Sequence, residues 1–162
     1  MVPTRTTLEI VTDTSLPQTL AEIIDDFQSL EEKERLQLLL EFSRSLPALP
    51  PRLAEHVELL EQVVECQSPL FLTVEPQPDG TVQLFFSAPA EAPTTRGFAS
   101  VLHEGLNGHT VAEILAVPDD MPEQLGLTRA LTPLRLRGMT AMLGRIKRQL
   151  RDAQARSVQN AR

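Results

Sequence analysis

The chain carries a single thiol, on Cys66, and its strongest potential nucleophile is the thiolate of that residue. A lone cysteine is open to two readings: an inert small hydrophobe in the core, or a reactive group displayed on a loop. Paired with His56, His103 or His109 it would make a Cys–His nucleophile, but nothing in their spacing encodes contact, and no thiol-protease sequence surrounds the cysteine. Structural zinc needs about four ligands at short spacings such as CxxC, and iron–sulfur clusters need several thiolates, so one thiol favours a carrier over a scaffold. No GxGxxG or GxxxxGK[ST] sequence is present to cradle a phosphate or dinucleotide. Arg96-Gly97 reads as a helix-opening pair in which the glycine allows close packing and the arginine is solvated. Arg135 and Arg137 fall in the first turn of a helix, where the dipole disfavours a cation, so at least one of them calls for an electrostatic or binding reason.

The elements that must position these residues follow from periodicity. Residues 1–15 are Thr-rich, lack a sustained period and read as a flexible leader. Leu20, Ile23, Ile24 and Phe27 recur at helical spacing behind Pro17, predicting a helix over 17–28. Ser29 and Glu32 form a capping-box pattern for a second helix ending near Ser45. The three prolines in Leu46 to Pro51 forbid its continuation and make a rigid connector. Val57 to Glu65 is ambiguous between helix and strand. Leu70–Glu75 and Thr81–Ser87 predict a hairpin about Pro78-Asp79-Gly80, with Cys66 immediately before it. Further helices are marked by Phe98, Val101, Leu102 and Leu106, stopped at Asn107-Gly108, and by Val111 to Ala116. The last starts at Thr132-Pro133 and carries the stripe Met139, Met142, Leu143, Ile146 and Leu150. The class is α+β, one domain over 16–152, with a flexible basic tail at 153–162.

Composition excludes several functions. At 162 residues, 41% hydrophobic and 23% charged, the chain suits one soluble domain, and no apolar run approaches the ~20 residues of a membrane helix. The first sixteen residues lack the apolar core of a secretory signal, so a cytoplasmic location is expected. Six Phe, without Trp or Tyr, offer few platforms for stacking nucleic-acid bases. The net charge of −7 conceals a basic end: residues 133–162 hold eight Lys or Arg against Asp152 alone. A solvated helix face accounts for that excess.

Two ordered motifs then resemble the SufE family of sulfur acceptors, which includes the CsdE proteins. Val63-Val64-Glu65-Cys66-Gln67-Ser68 is similar to the family's VxGCQS signature, and Leu131-Thr132-Pro133-Leu134-Arg135-Leu136-Arg137-Gly138-Met139 to its L[ST]PSRxxG[LM] signature. The likeness covers about residues 17–152 and takes in Leu46-Pro47-Ala48-Leu49-Pro50 and Arg96-Gly97-Phe98. It implies a SufE/NifU-like fold with a small antiparallel sheet packed against several helices. It also implies an acceptor of persulfide sulfur from a cysteine desulfurase of the SufS or CsdA kind, activating that enzyme and passing sulfur to an iron–sulfur scaffold. Cys66 would become a covalent persulfide without independent turnover of a small molecule, and the pyridoxal phosphate would belong to the partner. No cofactor or metal of the chain's own is implied.

By the same resemblance Arg135 would lie near the cysteine loop as an anion stabiliser, with Glu65, Gln67 and Ser68 shaping the loop or site. Glu65 stands where the family has glycine, which costs the loop conformational freedom and sets an anion beside the thiol. Leu134 replaces a serine, and Ala88 to Pro93 replaces an acidic segment. An adaptor that docks on a desulfurase without carrying sulfur is the other reading these departures leave open. A monomer or a small homodimer is compatible with the sequence.

Overall fold

The computed structural model describes residues 16–161. Helix α1 (Gln18–Gln28) buries Leu20, Ile23, Ile24 and Phe27, the stripe its periodicity marks. Helix α2 (Glu32–Phe42) starts later than Ser29 suggests: Glu31 is the N-cap and Glu34 completes the capping box. The Glu34 carboxylate reaches back to the Glu31 N–H, and a carboxylate in the first turn also suits the helix dipole. Ser29 instead ends α1, its hydroxyl donating to the Asp26 carbonyl. The proline connector runs without regular structure to Pro50, and Pro51 then begins a single helical turn, α3 (Pro51–Ala54). Proline suits that place because the first helical N–H has no intrahelical acceptor to lose.

The ambiguous segment resolves into a 3-10 turn, Val57–Leu59, and a two-residue strand, β1 (Glu61–Gln62). Strands β2 (Phe71–Pro76) and β3 (Val82–Ser87) form the expected hairpin, and the sheet is antiparallel in the order β1-β2-β3. Leu72 pairs with Phe86, Val74 with Leu84 and Pro76 with Val82. The buried residues of both strands therefore fall on one face, as the two-residue period requires. Gly80 at the turn has φ +89°, and the Asp79 carboxylate accepts from both the N–H and the hydroxyl of Thr81.

Helix α4 (Pro93–Leu106) is the central column of the core, packed against α1, α2, β3 and the last helix. It begins a turn earlier than Arg96, with Pro93 as its first residue. Arg96 is no solvated cation: its guanidinium donates to the carbonyls of Ser43 and Ala88, joining α2 to the end of β3. Gly97 does allow close packing, since a β-carbon there would stand 2.5 Å from the Leu39 carbonyl oxygen. Helix α5 (Val111–Leu115) and a 3-10 turn (Met121–Leu125) lead to the long helix α6 (Pro133–Asn160).

The N-cap of α6 is Thr132 and its first residue Pro133, as the sequence indicates. The helix does not stop at residue 152. The segment expected as a flexible tail continues as helix to Asn160, although its side chains beyond Ala153 are exposed. The expected leader, 1–15, lies outside the described residues. Among those described, no helix is long and apolar enough to cross a membrane.

Candidate functional site

Cys66 sits in the loop between β1 and β2, which is closed at its base by the Val63 N–H donating to the Leu70 carbonyl. Within it the Cys66 N–H donates to the Val63 carbonyl, forming a tight turn that aims the side chain at α6. The thiol lies 3.7 Å from the carbonyl oxygen of Gly138, as a weak donor to it. Gly138 is what permits this approach: a β-carbon there would stand 3.2 Å from the sulfur and 3.7 Å from the Cys66 α-carbon. The second motif thus meets the first at Gly138.

A cavity of about 320 Å³ opens beside the thiol. Glu65, Cys66, Gln67 and Ser68 line it from the loop, Leu134, Arg135, Gly138 and Met142 from α6, and Glu91 to Thr95 and Phe98 from the start of α4. Arg135 therefore does share a cavity with Cys66. Its side chain is exposed, and among the described residues its guanidinium has no hydrogen-bond or ion-pair partner. Arg137, also exposed, does not line the cavity. Val64, 69% exposed, and Leu134, 43% exposed, are apolar surface on the same two elements.

Burial pushes the Cys66 thiol up to about 11, with the Glu65 carboxylate adding to the rise and the Arg145 guanidinium opposing it. The resting sulfur is thus protonated at neutral pH. Glu65 has the effect its charge implies, but it is not alone. Arg145 forks onto it, Nη2 at 2.8 Å from one oxygen and Nη1 at 3.2 Å from the other, while Nε lies 3.0 Å from Glu61. The carboxyl of Glu65 is held below its ordinary range by its own backbone N–H and then by Arg145, against the opposing effect of burial. Arg145 escaped the sequence reading. Arg145 follows Gly138 and Met142 at i, i+4 and i+7 on one face of α6, a spacing that sets it on the thiol's side of the helix without marking it out from the other arginines.

The histidines do not join the site. His103 is half-buried against Phe86, and burial lowers its basicity. His109 lies between Thr19 and Glu113, and His56 beside Glu58. None lines the Cys66 cavity. A Cys–His hydrolytic pair therefore has no geometric support. Among the described residues no group of three or more His, Cys, Asp or Glu side chains is placed to hold a metal ion.

Comparison with known proteins gives the family and the fold. The family described as SufE, Fe-S metabolism associated domain, matches residues 21–150. An uncharacterized SufE-like protein of Mycobacterium tuberculosis is 58% identical over 139 residues, covering 86% of this chain and 96% of that protein. A chloroplastic/mitochondrial SufE-like protein 1 of Arabidopsis thaliana is 31% identical over 129 residues, which are 79% of this chain but 33% of the plant protein. Among solved structures, that of a hypothetical protein from Thermus thermophilus is similar with a TM-score of 0.75 at 41% identity, covering 86% of this chain and 98% of that one. On the matched domain, the close relative and the shared fold, the chain belongs to the SufE family, and its role is one of sulfur transfer in iron–sulfur metabolism.

Proposed function

We propose that the chain accepts sulfur on Cys66 from a cysteine desulfurase and thereby activates that enzyme, before releasing the sulfur to an iron–sulfur scaffold. The observation that carries this reading is the meeting of the two motifs at one cavity, with the thiol 3.7 Å from the Gly138 carbonyl oxygen and Arg135 on the cavity wall. In the transfer step the Cys66 thiolate attacks the terminal sulfur of a protonated persulfide on the donor enzyme. The new S–S bond forms as the old one breaks, and the donor cysteine leaves as a thiolate with the electron pair. No external oxidant or reductant is consumed. The proton of the terminal sulfur stays with it, and Cys66 ends as a persulfide.

A thiol pushed up to about 11 is almost wholly protonated at neutral pH. Docking of the donor must therefore favour the anion, by bringing positive potential or by opening the loop. Arg135 is the chain's own cation on the cavity wall, and we assign it to stabilising the thiolate and the persulfide anion. Gln67 and Ser68 line the same cavity, and we assign them to shaping the loop. The adaptor reading keeps one observation in its favour, the raised thiol beside Glu65.

Desulfurase turnover with this chain added separates the two readings. Cys66→Ser is expected to abolish stimulation while binding persists, and Arg135→Ala to reduce it about tenfold with the melting temperature unchanged. Full stimulation by Cys66→Ser would sink the carrier reading and leave the adaptor. An effect of Arg135→Ala on melting alone would make that residue structural.

A further inference from the structure

Glu65 creates an electrostatic problem at the thiol loop, and α6 answers it. The Arg145 guanidinium uses all three of its nitrogens on two carboxylates, Glu61 in β1 and Glu65 in the loop that follows it beside the thiol. Its side chain is 24% exposed and that of Glu65 36%, so the pair is only partly buried and its strength comes from the bidentate fork. Glu61 has other partners, since Arg148 and the Gln149 amide also bind it. Among the described residues Arg145 is the one ion-pair partner of Glu65. The arginine is therefore redundant for Glu61 and singular for Glu65.

We propose that Arg145 is a positioning residue for the sulfur-accepting loop, cancelling the charge of Glu65 and fixing that carboxylate in place so that an acid is tolerated next to Cys66. Loss of the arginine would leave the Glu65 charge unopposed against the thiol. The other charged groups facing this cavity are Arg135 from α6 and Glu91 from the segment before α4; neither touches Glu65. Arg145 acts through Glu65 and through the field at the sulfur, which separates its role from that of Arg135 on the open wall. Arg145 thereby adds a residue to the acceptor reading and rests on that reading for its purpose.

The test uses the purified full chain and iodoacetamide, which reports thiolate through its alkylation rate, at pH 8.5 and low salt. Arg145→Gln should slow alkylation of Cys66 about three- to tenfold, Glu65→Gln should accelerate it, and the double variant should return to within about twofold of the natural chain. Half-molar salt should shrink these differences. If Arg145 is only a clamp on the loop, the double variant stays as altered as Arg145→Gln; that result, or a single variant whose rate is unchanged or faster, overturns the proposal. Should Arg145→Gln fail to fold, Arg145→Lys and Glu65→Gln carry the test: the first must keep the rate near that of the natural chain and the second must raise it, and failure of either overturns the proposal. No desulfurase is present, so a chain that shows this charge pattern yet never gains sulfur would refute the acceptor reading and leave the Arg145–Glu65 pair standing.

Discussion

The reactive position is defined as much by a missing side chain as by a present one. Gly138 lets the Cys66 sulfur settle against the backbone of α6, where an added methyl group would sit 3.2 Å away. Gly138→Ala should therefore displace the thiol rather than unfold the domain. We expect a destabilisation of about 1–2 kcal/mol, read by thermal denaturation, together with a change of at least about threefold in Cys66 alkylation rate at fixed pH. Unchanged alkylation with unchanged melting would mean the loop gives way without consequence. The thiol and the Thr132-Pro133 helix start were legible from residue type, but that the two segments belong to one site came from the resemblance to the family's two motifs, not from the residues alone. Arg145 was not, since one more arginine on a basic helix face has no distinguishing local pattern. Its role depends on the departure at Glu65, and that pairing joins residues 80 apart in the chain.

At the scale of elements, α4 is held where it is by another such contact. The missing β-carbon of Gly97 makes room for the carbonyl of Leu39, so α2 and α4 pack backbone to backbone, and Arg96 then fastens the end of α2 to the end of β3. Gly97→Ala should cost more than the change at Gly138, about 2–4 kcal/mol, because the clash at 2.5 Å is with backbone and cannot be relieved by a rotamer. Denaturant unfolding of the two variants side by side checks the order; equal midpoints would contradict it. The helices and hairpin were readable because apolar spacing and turn chemistry are local signals. Strand β1 and the 3-10 turn at Met121–Leu125 were not, since two residues carry no period and β1 exists only by pairing with Leu72 and Phe71. The start of α2 misled for a related reason: Ser29 fits a capping box by sequence, but its hydroxyl is spent on α1. The extension of α6 past residue 152 reflects helix-compatible residues continuing an established helix where no buried stripe marks them.

The whole molecule brings a hairpin loop and the start of a long helix together over one cavity, using α4 as the common support. Its charge is divided in the same sense, an acidic body followed by a basic α6 whose Arg145 and Arg148 pair with Glu61 and Glu65 while Arg135 and Arg137 stay exposed. On the function proposed above, this assembly serves to load sulfur on Cys66. Intact-mass spectrometry after incubation with a cysteine desulfurase and cysteine tests it most directly. The expected result is a gain of one sulfur, ~32 Da, removed by reductant, mapped to Cys66 and absent from Cys66→Ser. Binding to the desulfurase with no sulfur gained on Cys66 would contradict it.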